Sequence, residues 1–228
     1  MEPRKKIDFD EERQKVVERL IEEGYLWSQE AIRAMKTVPR EEFVPEKLRD
    51  EAYVDSPLPI GFEQTISAQH MVAMMVEALN LAKGFKILEV GCGSGYHAAV
   101  LAEIVGQRAN GPQGHVYSME RIPELVKFAR ENLQRTHYEN RVTPILGDGS
   151  QGYIKYAPYD RVLVTAAAPK IPNQLIEQLK EGGLLLIPVG NLYFFQELLR
   201  IRKKGGHIHK EVLGGVSFVP LKGKNGWK

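Results

Sequence analysis

Apolar residues recur at helical spacing three times before the chain reaches its first strand-like run. In residues 10–23, Val16, Val17, Leu20 and Ile21 share one face among charged neighbours, and Gly24 stops the pattern. Ser28 stands as an N-cap for a helix over 29–37 with Ala31, Ile32 and Met35 inward. Prolines punctuate residues 38–45, which predicts a bend with a short helical turn. The prolines and glycine of 52–61 predict an ordered loop. A third helix runs to about Leu81, with Met71, Met74, Met75 and Leu79 inward and Ser67 placed to cap it.

From residue 86 the rhythm changes. Ile87, Leu88 and Val90 form a short apolar run of the kind that makes a buried parallel strand. Gly91, Gly93 and Gly95 follow, and Ala98, Ala99, Leu101, Ala102 and Val105 return to helical spacing until Gly106. The alternation then repeats. A turn at 111–114 leads to a strand at 115–119, and Pro123 opens a helix over 124–135 with Leu125, Val126, Phe128, Ala129 and Leu133 toward the sheet. A strand at 142–146, a strand with its exit loop over 159–169, a short helix at 174–179, a Gly182-Gly183 turn and a strand at 184–189 follow. Residues 192–202 and 207–221 read as two long strands joined at Gly205-Gly206. This order predicts an α/β fold: a doubly wound, mostly parallel Rossmann-like sheet of about seven strands, the last two paired. Residues 1–65 are expected to form an N-terminal helical cap with a substrate-side loop, and 66–228 the nucleotide-binding core, in one compact domain.

Charge and cysteine usage exclude several function classes. With 31 basic against 29 acidic residues, the formal charge of +2 gives no electrostatic footprint for nucleic acid. Cys92 is the single cysteine, so an internal disulfide and a multi-cysteine metal site are excluded, and no metal is expected. It reads as a small side chain lining the glycine loop. The charged N-terminus has no signal-peptide core, and no apolar run approaches the ~18 residues of a membrane span. The expectation is a soluble, cytoplasmic monomer with neither membrane nor nucleic-acid partner.

Strand, glycine loop and helix together place backbone N–H groups and a helix N-terminus beside a ligand. A dinucleotide fingerprint needs a small residue at its third glycine, where this chain has Tyr96, so an NAD-dependent oxidoreductase is disfavoured. Glu120 closes the next strand 25 positions beyond Gly95, where an acidic residue takes ribose hydroxyls. A cap for the helix that follows is the plainer alternative. Asp148, between Gly147 and Gly149, ends the third core strand and could serve only as a turn residue. Thr65 and Ser67 sit at a helix start, where a carboxylate is stabilised. Ser67 as a mere cap, and His70 as a packing residue, are the plainer alternatives.

The pattern E-x-G-x-G-x-G resembles the first motif of the class I S-adenosylmethionine-dependent methyltransferases. Further stretches resemble the protein-L-isoaspartate O-methyltransferase family: Tyr53-Val54-Asp55-Ser56-Pro57 with Ile60-Gly61-Phe62, Thr65-Ile66-Ser67-Ala68-Gln69-His70-Met71, Val164-Thr165-Ala166-Ala167-Ala168-Pro169, Leu185-Leu186-Ile187-Pro188-Val189-Gly190, and Phe218-Val219-Pro220-Leu221. Gln69 departs from the proline frequent there, and the tail after Leu221 is short and basic. The resemblance implies methyl transfer from S-adenosyl-L-methionine, released as S-adenosyl-L-homocysteine, to the free α-carboxylate of isoaspartyl residues in damaged proteins and peptides. It implies Ser67 as the residue that orients the substrate carboxylate. It also implies a cofactor site of Gln64, Thr65, Ile66, His70, Glu89, Gly91, Gly93, Ser94, Gly95, Glu120, Arg121, Asp148, Gly149 and Thr165, with the last aspartate on the adenine amine.

An α-carboxyl with a pKa of about 3.3–3.7 is ionised at neutral pH, so this chemistry needs no general base. The absence of a base–nucleophile pair agrees with it. The strand and exit loop of 159–169 lack the Asn/Asp-Pro-Pro-Tyr run that amino-group methyltransferases use. A methyltransferase of a small molecule or RNA, and a protein that binds the cofactor without turnover, are the competing readings.

Overall fold

The computed structural model describes residues 7–106, 113–191 and 195–228. Two helices come first, α1 (Phe9–Glu22) and α2 (Gln29–Thr37), each with the cap its sequence offers. Asp8 accepts from the N–H groups of Asp10 and Glu11, and Ser28 from that of Ala31. Gly24 adopts φ +75° just past α1, a conformation glycine takes without strain. Ile21, in the last turn, overhangs the core and is 39% exposed.

Residues 52–61 are not wholly loop. β1 (Leu58–Gly61) pairs antiparallel with β2 (Gln64–Ile66), because Phe62 and Glu63 both take positive φ and close a two-residue hairpin. Helix α3 (Gln69–Ala78) starts later than expected. Ala68 occupies its N-cap position with no side-chain cap, so Ser67 does not cap it.

The main sheet comprises β3 (Lys86–Val90), β4 (His115–Glu120), β5 (Val142–Leu146), β6 (Tyr159–Val164), β7 (Leu179–Gly190), β8 (Gln196–Lys204) and β9 (His207–Val216). Their spatial order is β5-β4-β3-β6-β7-β8-β9, with parallel pairing from β5 to β7 and antiparallel pairing beyond. Helices α4 (Tyr96–Val105), α5 (Pro123–Arg135) and α6 (Asn173–Glu177) lie in the connections. The doubly wound, mostly parallel seven-stranded α/β fold is therefore present, and Gly205-Gly206 turn β8 into β9 with two positive φ values. Ile87, Leu163 and Leu186 enter one apolar cluster with α1–α5; Leu88, Val162, Val164 and Leu185 enter the other with α6. Central strands are apolar at nearly every position because both faces are covered.

Two local differences, at β7 and after β9, have tertiary causes. Gly182 and Gly183 lie inside β7 rather than in a turn before it, at a register shift against β6. The sixth strand is described from Gln196 and the seventh ends at Val216, after which Phe218–Leu221 returns to bridge Ala167. Residues 192–194 of the expected sixth strand, and Gly111 and Pro112 of the expected turn, lie outside the described residues. The strand order reverses between β3 and β6, so a crevice opens at their C-terminal ends.

Candidate active site

The glycine loop leaves β3 at that crevice. Gly91 has φ +105°, and a Cβ there would lie 2.2 Å from Thr165 Oγ1. That hydroxyl donates to the carbonyls of Gly91 (2.8 Å) and Val90 (3.2 Å), joining the ends of β3 and β6. Gly93 donates its N–H to Glu120 Oε2 at 3.0 Å. Glu120 Oε1 accepts from the N–H groups of Arg121 (2.8 Å) and Ile122 (3.1 Å). One carboxylate at the end of β4 thus ties the glycine loop to the start of the next connection.

A cavity of about 170 Å³ lies over this arrangement. Gly91, Gly93, Glu120, Arg121, Gly149 and Thr165 line it, and Gln64 and Thr65 close it from the β1–β2 hairpin. A Cβ at Gly149 would come within 2.4 Å of Val90, so only glycine lets the β5 exit loop sit this low on β3. The opposite wall is Val219–Lys222, from the chain's last segment.

Two more cavities adjoin it. The larger, about 810 Å³, holds Ser67, His70 and Met71 on one side and Phe195, Val216 and Phe218 on the other. His70 is fixed there by Asp55, whose Oδ1 accepts from the His70 N–H at 3.0 Å and stands 3.1 Å from Nδ1. Burial works against the charged Asp55, but His70 and Arg19 hold its carboxyl below the ordinary value. The smaller cavity, about 40 Å³, lies behind the loop and is lined by Ile66, Ser67, Ser94, Tyr96 and His97. Thr65 and Thr165 stand in the walls of all three.

Three residues expected at the cofactor do not line these cavities. Glu89 is wholly buried within β3, where Ser118 of β4 donates to its Oε2. Burial, reinforced by the charge of Glu120, pushes its carboxyl up to about 8 against that hydrogen bond. Gly95 is the left-handed residue that starts α4, and a Cβ there would press on Leu133 at 3.3 Å. It serves the close packing of α4 on α5. Asp148 Oδ1 accepts from the N–H and hydroxyl of Ser150 (2.9 and 2.6 Å), and Oδ2 from Gln151 Nε2 (3.2 Å) and the Lys224 N–H (2.7 Å). Burial opposes its charge, yet these donors hold its carboxyl low. A carboxylate offers about four acceptor sites, and here all are filled.

Sequence reasoning passed over the tail that supplies Lys224. Asn225 donates to Ser150 Oγ at 2.9 Å and Trp227 Nε1 to the Ala167 carbonyl at 3.0 Å, which pins the segment over the β5 exit loop. Its glycines were the available signal: a Cβ at Gly223 would meet Asp148 Oδ1 at 2.0 Å. His97 is likewise missed, for it reads as an ordinary helix position, and Tyr96 is read only as the bulk that rules out a dinucleotide fingerprint.

The profile of the family described as Protein-L-isoaspartate(D-aspartate) O-methyltransferase (PCMT) matches residues 11–226. A protein-L-isoaspartate O-methyltransferase of Hyperthermus butylicus is 54% identical over 222 residues, covering 96% of this chain and 92% of its own length. One of Methanothrix thermoacetophila is 57% identical over 213 residues, covering 92% of this chain and 97% of its own. Among solved structures, a Plasmodium falciparum protein described as the same kind of methyltransferase, in complex with S-adenosyl-L-homocysteine, superposes with a TM-score of 0.80 at 30% identity. That match covers 92% of this chain and 98% of the other.

Proposed function

The chain belongs to the protein-L-isoaspartate(D-aspartate) O-methyltransferase family, and from that premise we propose how its residues divide the work. It transfers a methyl group from S-adenosyl-L-methionine to the free α-carboxylate of L-isoaspartyl residues in damaged proteins and peptides, a repair reaction. The residues around the 170 Å³ cavity fit this cofactor: Gly91 leaves no room for a Cβ, and Glu120 offers a buried carboxylate to a diol. When bound, the cofactor supplies an electrophilic methyl group on a sulfonium.

In this reading Glu120 receives the ribose hydroxyls, with Arg121 and Gly149 flanking the adenosine. Gln64, Thr65, Ile66, Gly91, Gly93, Ser94 and Thr165 enclose the amino-acid end. Asp148 shapes the adenine-side loop and holds the tail on it; its carboxylate reaches the adenine amine only if the 3.2 Å bond from Gln151 yields. Glu89 and Gly95 act from beneath, through strand and helix packing.

The observation that carries the reading is the placement of Thr65 and Thr165 in the walls of all three cavities. The cofactor cavity and the larger acceptor cavity meet there, beside Ser67. An isoaspartyl α-carboxylate, with a pKa of about 3.3–3.7, arrives already ionised and needs no base. Ser67 orients it by its hydroxyl, His70 is held in the acceptor wall by Asp55, and acceleration comes from positioning and exclusion of water. Residues 1–65 act as the cap over the core.

In this reading the enzyme acts as a monomer. Among the described residues no helix is long and apolar enough to cross a membrane. Together with the single cysteine and the near-neutral charge, this supports a cytoplasmic enzyme that works without nucleic acid. Methyl transfer from radiolabelled cofactor to matched isoaspartyl and aspartyl peptides tests the reading. Label is expected on the isoaspartyl peptide alone; label only on RNA or a small acceptor would overturn it.

A further inference from the structure

Two arginines of the N-terminal segment are buried, and they are treated differently. Arg13 donates to Tyr53 at 2.8 Å and to Glu41 at 3.0 Å. Arg40 is wholly buried, its Nε donates to the Ala52 carbonyl at 2.8 Å, and its Nη1 and Nη2 have no partner among the described residues. The neighbouring carboxylates are already engaged, Glu41 by Arg13 and Asp55 by His70 and Arg19. A buried guanidinium without its own anion is strongly unfavourable, so a binding partner that brings one relieves the site.

Its place indicates which anion. The Arg40 guanidinium lies 5.0 Å from the centre of the Tyr96 ring, and Tyr96 with His97 lines the 40 Å³ cavity behind the glycine loop. His97 is buried and its Nε2 has no partner among the described residues. Burial, then the charge of Arg40, pushes its pKa down to about 3, so the ring is neutral and leaves the positive charge to Arg40. The N-terminus of the ten-residue helix α4 opens at the same point. A cavity of about 40 Å³ has room for a group the size of a carboxylate.

We propose that this cavity receives the methionine carboxylate of S-adenosyl-L-methionine, and that Arg40, from behind Tyr96 and His97, supplies its counter-charge. The inference rests on the cofactor reading above. Arg40 acts through Tyr96 and His97 and is a positioning residue. The isoaspartyl carboxylate has the same chemistry, but the larger cavity beside Ser67 suits it, and the test separates the two.

Calorimetry on the full chain would compare S-adenosyl-L-homocysteine, its methionine carboxamide and 5′-methylthioadenosine, which lacks the amino-acid end. The wild type should prefer the carboxylate over the carboxamide by about tenfold, the scale of two opposite charges held apart by one side chain in a partly buried site. Arg40→Met should lose most of that preference yet bind 5′-methylthioadenosine as the wild type does, and Arg40→Lys should retain part of it. Equal weakening of all three ligands overturns the assignment. So does unchanged S-adenosyl-L-homocysteine affinity with a raised KM for isoaspartyl peptide, which gives the counter-charge to the substrate. If Arg40→Met does not fold, the guanidinium nitrogen resonances of Arg40 in the wild type decide. They should move with S-adenosyl-L-homocysteine and stay put with the carboxamide; an identical response to both overturns the proposal. A wild type that binds none of the three removes instead the cofactor reading beneath it.

Discussion

Thr165 and Gly91 are fitted to each other across adjacent strands: the threonine hydroxyl donates to the glycine carbonyl at 2.8 Å, and a Cβ on the glycine would stand 2.2 Å from that oxygen. Gly91→Ala therefore has to displace Thr165 as well as hold an alanine at φ +105°, a strain of roughly 1–3 kcal/mol. Affinity for S-adenosyl-L-homocysteine should fall more than tenfold. Adding Thr165→Ala should restore part of it by removing the collision. A double variant no better than Gly91→Ala would locate the damage elsewhere.

Ser67 is free of capping duty, since α3 begins at Gln69 without a side-chain cap. Ser67→Ala should change stability by no more than about 0.5 kcal/mol. Methyl transfer should nevertheless fall by one or two orders of magnitude, the scale of disturbed positioning. Cofactor affinity should hold. Full turnover in Ser67→Ala would take Ser67 out of the site.

Glu120 uses both oxygens, one on Gly93 and the other on Arg121 and Ile122. Glu120→Gln keeps the shape but sets an amide donor against at least one of those N–H groups. Losing charge-assisted hydrogen bonds to the ribose should cost roughly 1.5–3 kcal/mol of cofactor affinity. Adenosine should bind at least tenfold more weakly to the variant, while adenine is unaffected. Equal effects on both would move the ribose away from Glu120.

Glu89 carries the pH signature of the fold. Its folded pKa of about 8 lies above the ordinary 4.5, so between these values the native state holds a proton that the unfolded chain releases. Stability is therefore lost as pH rises from about 4.5 to about 8 and is level above. Glu89→Gln should leave stability unchanged near pH 4 and raise it by a few kcal/mol at pH 8. Calorimetric melts of both proteins across that range would show it, and a difference that does not vary with pH would refute it.

Much of the architecture is legible in the sequence because it is written locally. The apolar run Ile87–Leu88–Val90, the glycines after it and the helical spacing from Ala98 each depend on neighbours a few residues away. They specify strand, loop and helix wherever the chain is folded. Glu120 is legible on the same terms, as the acidic end of the next strand. Ser67, Glu89, Gly95 and Asp148 show what local pattern does not reach. Whether a serine caps a helix depends on where the first turn closes, and the β1–β2 hairpin delays that turn to Gln69. Register decides that Glu89 lies beside Ser118, so an acid of the motif is buried rather than offered to a ligand. Asp148 is filled by the N–H of a residue 76 positions later, and Arg40 meets Tyr96 only when the N-terminal segment packs on the glycine-loop helix. Periodicity sets which face of an element is apolar, but the partner of a buried polar atom is chosen by packing between distant segments. That choice exists only in the folded chain.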